Sequence, residues 1–557
     1  MMEIRTAVYA FLGIICTGIF SGCGKSDEEI PSEPFQLESI EINGEVNASS
    51  SYRDVNPELV IKLVFSESVK PDMLEENITL RKSTGEPVQL NFILHGQSVQ
   101  IETANKLESF SSYRLEISRG LYAISGNRIL TGKVYSISTG MDGSDKFPRI
   151  SDEELLTLVQ RQTFRYFWDF GHPVSGMARE RSSSGNTVTT GGTGFGVMAM
   201  IVAVERDFIT RDEALFRIEK IVAFLKSKAT RYHGAFAHWI HGETGATLPF
   251  STYDNGADLV ETSLLFQGLL TARGYFSRSA PAEIKLRNEI TLLWEEIDWK
   301  WFQKESENVL YWHWSPQYGW QMNMKVSGWN ESLITYILAA ASPTHPITKE
   351  VYDQGWARNG NMINNTTYYG HRLPLGPETG GPLFFAHYSF LGINPKGLKD
   401  RYADYWEQNR NHSLINHLYC ADNPKKYTGY SEYCWGLTAS DGNQGYSAHS
   451  PTNDRGVIAP TAALASMPYT PEESMKALRF FYYKLGDKIW SDYGFTDAFN
   501  LSVGWFDNQH IAIDQGPIII MIENYRSSLL WNILMNDIEI QRGLTNLGFQ
   551  FSFNPLS

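Results

Sequence analysis

Asp254, Asp258 and Glu261 stand at i, i+4 and i+7 in the stretch Tyr253-Asp254-Asn255-Gly256-Ala257-Asp258-Leu259-Val260-Glu261, which runs on into the mostly apolar segment 262–270. On a helix that spacing puts the three carboxylates on one face. An acidic stripe on so apolar a helix needs a partner or a polar cavity, because an unpaired buried carboxylate costs several kcal/mol or takes up a proton. The alternative is an Asp254 N-cap followed by solvated acids in the first turn. Other carboxylates stand in comparable surroundings: Glu331 after Gly328-Trp329-Asn330, Asp454 before Gly456, and Asp514 before Gly516-Pro517. Carboxyl groups in such settings suit acid–base hydrolysis, in which one is protonated to donate and another is ionised to activate water.

The elements that would position these acids have a regular pattern. From about residue 150 to 535 the apolar spacing is helical, and two helix types alternate. Amphipathic segments start near Ser151, Thr210, Pro281, Thr348, Lys399 and Thr470, and the first, second and last of these open on capping-box sequences. Between them lie segments apolar on every face, led by Gly194, Gly256, Gly328, Gly381, Gly456 and Gly516. A helix apolar all round must be buried, so the pattern predicts an outer ring packed on an inner ring. The expected fold is an all-α (α/α)6 toroid over residues 150–540, with the inner-helix entries and their carboxylates opening onto one mouth.

Aromatic residues gather in the loops before the inner helices: Trp239, Trp312, Trp314, Trp320, Trp329, Trp435 and Trp505. Aromatic faces beside carboxylates suit a sugar ring, which offers C–H faces and hydroxyls, although any single Trp reads equally well as core. The formal charge of −14 argues against nucleic acid as a partner, and an acid-lined mouth disfavours an anionic substrate such as a uronate. Neither an EF-hand loop nor an HExxH sequence is present, and the reading assigns no metal and no cofactor.

Residues 35–140 read instead as short strands with turn glycines at Gly85, Gly96 and Gly126, which predicts a small β-sandwich. Residues 1–22 read as a signal peptide: Arg5, an apolar run from Ala7 to Phe20, and then Ser21-Gly22-Cys23, which resembles a bacterial lipobox. Cys23 would then carry lipid, and 23–34 would be an acidic linker whose Ser26-Asp27-Glu28-Glu29 resembles the surface-export signal of Bacteroidetes lipoproteins. The expected location is the outer membrane, exposed at the cell surface or facing the periplasm, and the expected state is a monomer. Cys420 and Cys434 remain as either a disulfide or two buried thiols.

Taken in order, Tyr253 to Glu261, Gly328-Trp329-Asn330-Glu331, Trp435-Gly436-Leu437-Thr438-Ala439-Ser440-Asp441 and Ile513-Asp514-Gln515-Gly516-Pro517 resemble the bacterial glycoamylase-domain proteins of glycoside hydrolase family 144. Characterised members of that family act on β-1,2-glucan. In the same way, Phe65-Ser66-Glu67-Ser68-Val69-Lys70-Pro71 resembles bacterial Ig-like domains. The family resemblance implies an (α/α)6 barrel and an anomer-inverting hydrolase with Glu331 as acid and Asp514 as base. It assigns Asp254, Asp258 and Glu261 to glucose hydroxyls. Trp239, Trp312, Trp329, Tyr388, Asp441 and Trp505 complete the expected substrate-binding set. His387, His449, Arg455 and His510 are further candidates to line the cleft, none of them catalytic. The competing readings are a glucoamylase-like hydrolase of α-glucans and a surface glycan-binding lipoprotein without catalysis.

Overall fold

The computed structural model describes residues 34–46 and 49–552. The signal peptide, Cys23 and nearly all of the acidic linker lie outside the described residues. The chain separates into two compact units, 1–141 and 142–557.

In the first unit, period-two alternation buries one face of each strand. Strands β1 (Leu37–Ile42), β3 (Val60–Phe65), β7 (Ser98–Thr103) and β6 (Leu90–His95) form one sheet in the order β1-β3-β7-β6. The other sheet runs β2-β9-β8-β4-β5, built from Ser51–Val55, Lys133–Thr139, Ser112–Ile117, Ile78–Lys82 and Pro87–Val88. All pairings are antiparallel except β2 with β9. Ile61, Leu63, Val99, Ile101, Leu115 and Ile137 fill the shared core.

The second unit is helical, with several two- and three-residue strands in its loops. Its longer helices are α1 (Asp152–Trp168), α2 (Thr190–Glu205), α3 (Arg211–Ser227), α4 (Leu259–Tyr275), α5 (Pro281–Glu295) and α6 (Leu333–Ala341). They continue as α7 (Tyr405–Asp422), α8 (Pro460–Leu464), α9 (Pro471–Ile489), α10 (Ala512–Arg526), α11 (Leu529–Met535) and α12 (Ile538–Leu547). Capping boxes open α1 at Ser151 and α3 at Thr210, as their sequences predict. The third expected box fails at α9, where the Thr470 hydroxyl donates to the Ser466 carbonyl instead of capping.

Helices α2, α4 and α10 are buried almost throughout, and glycines set how closely they approach. A Cβ on Gly268 would lie 2.1 Å from the Gly194 carbonyl oxygen, and one on Gly194 2.2 Å from that of Leu264. One on Gly516 would lie 2.5 Å from the Phe195 Cβ. Gly194 and Gly516, expected to lead their helices, therefore sit inside them as contact points, whereas Gly256 precedes α4. Two other expected inner elements are shorter than predicted. Around Gly381 the chain makes only 3-10 turns, Leu383–Ala386 and Tyr388–Phe390, and α8 has a single turn or so. Pro382 and Pro460 each start such a short turn, as a residue that cannot donate an N–H can. Gly268→Ala is expected to lower stability by about 1–3 kcal/mol or more through this backbone clash. Gly143→Ala, which meets nothing within 4 Å, is expected to stay within about 0.5 kcal/mol, and chemical denaturation of both variants checks the difference.

Candidate active site

The acidic stretch is not one helix face. Helix α4 begins at Leu259, and Asp258 is its N-cap, accepting from the Glu261 N–H at 2.9 Å. Asp254 lies four residues upstream of that cap, in the loop, and its backbone N–H donates to the Ser251 hydroxyl oxygen at 3.2 Å. What gathers the acids is a short β-bridge: Ala257–Asp258 pairs antiparallel with His313–Trp314, and the register sets Asp258 opposite His313. A second small sheet, in which Thr187–Thr189 pairs with Trp239–His241, brings His238 and Trp239 to the same place.

His238 and His313 are the partners the acids require, and sequence reasoning missed both. His238 Nδ1 is 3.2 Å from Asp258 Oδ2 and 3.9 Å from Asp254 Oδ2, and its Nε2 is 4.0 Å from Glu261 Oε1. His313 Nε2 is 3.4 Å from Asp254 Oδ2 and 3.5 Å from Asp258 Oδ2. Burial opposes protonation of both rings, but the surrounding carboxylates win and raise each to about 9. In return, although burial acts to raise it, Asp258 is held well below the carboxylate range by the two imidazoles. Glu261 accepts from the Gly191 N–H at 2.7 Å, yet burial carries its carboxyl upward. The available signal was the aromatic flanks Ala237-His238-Trp239 and Trp312-His313-Trp314, which mark each histidine as a loop residue beside a ring platform.

These groups line a cavity of about 530 Å³ together with Glu180, Arg181, Trp239, Phe250, Trp312, Glu331, Phe384, Tyr388 and Tyr446. The size and the mixture of rings with a few converging polar groups suit a small oligosaccharide. Phe250 stacks on His238 at 4.3 Å, and Trp312 lies parallel to His313. Glu331 reaches the wall just before α6, where burial first, and then the charges of Glu261 and Asp258, push its carboxyl up to about 7. Its affinity for a proton is therefore well above that of an ordinary glutamate.

Asp514, in the first turn of α10, is 1% exposed and stands behind the lining residues Ile511, Ile513 and Tyr388. The Tyr388 hydroxyl donates to its Oδ1 at 3.4 Å. Burial pushes the Asp514 carboxyl up to about 7. Asp441 is joined to the lining residue Arg181 by an ion pair of 2.8 Å.

Several expected residues lie elsewhere. Trp329 is 5% exposed and packs on Phe390 and Tyr405, which makes it core rather than a sugar platform. Trp505 packs on Val457, Ala459 and Ala498, away from the cavity wall. Asp454 accepts from Tyr419 and Tyr430 at 3.0 and 2.8 Å and does not reach the mouth. His387 bonds Ser466 and His510 bonds Ser491, while His449 is buried and Arg455 points to solvent. Cys420 and Cys434 are buried free thiols.

His238, Asp254 and Asp258 have ligand atoms close enough to share a cation. The two imidazolium charges already supply the counter-charge that such an ion would bring, and no metal is assigned there. Because the folded pKa values of His238 and His313 lie above the unfolded one, their stabilising contribution is complete below about pH 6.5 and is lost as pH rises through about 9. The melting temperature is expected to fall between these limits, and His313→Asn to flatten that slope while lowering stability at the acid end. Calorimetry of both proteins across the window checks this.

The chain matches the family model Glycoamylase, described as "Putative glucoamylase", over residues 323–538, and a bacterial Ig-like domain model over 44–139. It is 46% identical over 420 residues to an exo β-1,2-glucooligosaccharide sophorohydrolase (non-reducing end) of Parabacteroides distasonis. That match takes in 72% of this chain and 58% of the relative's length. It is 53% identical to an endo-β-1,2-glucanase from Chitinophaga pinensis, solved with sophorotriose and glucose, with TM-score 0.71 over 72% of this chain and 99% of that one. A β-1,2-glucanase structure from Parabacteroides distasonis is 38% identical, with TM-score 0.70 over 93% of this chain and 74% of that one. On this likeness across nearly the whole of a solved relative, the chain belongs to the glycoamylase family, similar to glycoside hydrolase family 144 and related to the β-1,2-glucan hydrolases.

Proposed function

We propose that this protein is an inverting glycoside hydrolase that cleaves β-1,2-glucan or its oligosaccharides. The observation that carries the reading is Glu331 on the wall of a ring-lined cavity, where its desolvated carboxyl is raised to about 7, towards the protonated form. A carboxylic acid in that state can protonate a leaving glycosidic oxygen. Asp514, reached through Tyr388, is the base that activates water for attack from the opposite side of the sugar. Trp239, Trp312 and Phe250 offer faces to the glucose rings, and Asp254, Asp258 and Glu261, fixed by the two imidazoliums, accept sugar hydroxyls. β-1,2 specificity is supported by the names of the relatives, whose chemistry fits an uncharged substrate in this acidic cavity.

The finer architecture belongs to the same proposal. Helices α2, α4 and α10 nest at the centre, α1 packs on α10, and α3 packs on α5. That order supports an (α/α)6 toroid in which the fourth and fifth inner members are reduced. Residues 1–22 would be removed and Cys23 lipidated, which would anchor a monomer to the outer membrane by lipid.

Glu331→Gln and Asp514→Asn are each expected to lower kcat by about 10³-fold or more while leaving the melting curve intact. NMR of the wild-type reaction is expected to show the α-anomer first, with no release from starch. Wild-type-like turnover in either variant, or first release of the β-anomer, would refute the assigned roles, and sizing the products separates disaccharide release from internal cleavage. Cys23→Ala is expected to move the protein from the membrane fraction to the soluble fraction, as followed by immunoblot.

A further inference from the structure

Asp497 is a buried carboxyl with no task in the mechanism above. It is 2% exposed and sits between the short strands Gly494–Phe495 and Phe499–Asn500. Its Oδ2 accepts from the Asp441 N–H at 2.7 Å, and its Oδ1 is buried without a partner. Asp514 mirrors it: Oδ1 accepts from Tyr388, and Oδ2 is buried without a partner. The two side chains are in hydrogen-bond contact. Two bare carboxylates cannot make that contact, since neither can donate and their charges repel in a dry site. A single proton turns two unsatisfied oxygens into one strong O–H···O⁻ bond.

We propose that Asp497 carries this proton and donates it from Oδ1 to Asp514 Oδ2, so that Asp497 is the positioning residue that holds the base ionised and oriented. The proposal rests on Asp514 being the base. When Asp514 accepts a proton from the attacking water, the pair passes from a monoanion to a neutral diacid, and Asp497 keeps its own proton throughout.

The surroundings favour Asp497 as the protonated member. Burial, followed by the charges of Asp514, Asp441 and Asp507, pushes its carboxyl well above the usual range. Arg181, the cation whose charge reaches the pair among the described residues, is already engaged by Glu180 and Asp441. The other titratable groups facing the pair are the hydroxyls of Tyr166, Tyr388 and Tyr446, all neutral at working pH. The oxygens of Asp441, Asp497 and Asp507 also converge. The Arg181 guanidinium already neutralises Asp441 there, and a shared proton satisfies Asp497.

Asp497→Asn and Asp497→Leu separate the possibilities. In the asparagine variant the Asp441 N–H fixes the amide with its oxygen on that side and its NH₂ towards Asp514, so the donor survives. That variant is expected to lose less than about tenfold in kcat, with the acid limb of its pH profile unmoved. The leucine variant, without a donor, is expected to shift the acid limb up by about one unit and to lose more than about tenfold in kcat. A downward shift of the acid limb in Asp497→Asn would mean that Asp497 is normally a carboxylate, and would overturn the proposal. Identical profiles for the two variants would overturn it as well. The infrared spectrum gives a readout independent of turnover: in a Glu331→Gln background, Asp497→Asn should remove one protonated-carboxyl C=O band at about neutral pH, and its persistence would refute the pairing. If the wild-type protein releases no sugar from β-1,2-gluco-oligosaccharides, the functional reading fails, and the infrared result alone decides the pairing.

Discussion

The cost of burying carboxylates governs the helical unit. Asp254, Asp258, Glu261, Asp497 and Asp514 are all at most 8% exposed in a core otherwise made of packed apolar helices. Each would destabilise the fold by several kcal/mol if left charged and unpaired. Two forms of relief are visible. On one wall, His238 and His313 take up protons and balance Asp254 and Asp258. On the other, the carboxyls themselves are pushed towards their neutral forms.

This division produces the chemistry. The charged wall is a fixed array of acceptors, held by the imidazole and backbone N–H groups that bond both oxygens of Asp258 and one of Glu261. Glu331 is desolvated and stands close enough to feel the charges of Glu261 and Asp258 without bonding to either cation, so its carboxyl is raised towards the protonated form. In the proposed mechanism the acid, Glu331, and the base, Asp514, are then set by surroundings rather than by residue type. The close glycine contacts among α2, α4 and α10 hold the walls, because one extra methyl group at Gly268 or Gly516 would push apart the helices that carry Glu261 and Asp514.

Much of this was legible in the sequence. The change from period two to period 3.6 separated a β-sandwich from a helical unit, and Ser151 and Thr210 with their glutamates marked two helix starts. The family motifs pointed to Glu331 and Asp514. Single-residue environments were less readable. Trp329 and Trp505 have the composition of sugar platforms, but they pack into apolar clusters, because a Trp in a loop next to a helix entry can turn inwards as easily as outwards. His238 and His313 carry no spacing signal, since the short strands that bring them to Asp258 join segments far apart in the chain.

The sequence by itself determined where apolar and polar residues recur, and through that periodicity the two fold classes, the order of the helices and the supply of carboxylates near their entries. Tertiary structure alone decided which acids meet cations and which meet each other. Protonation depends on short distances between residues that are far apart along the chain, such as His313 with Asp254 at 3.4 Å. No local pattern encodes those distances, because they are set by how the helices and their loops pack.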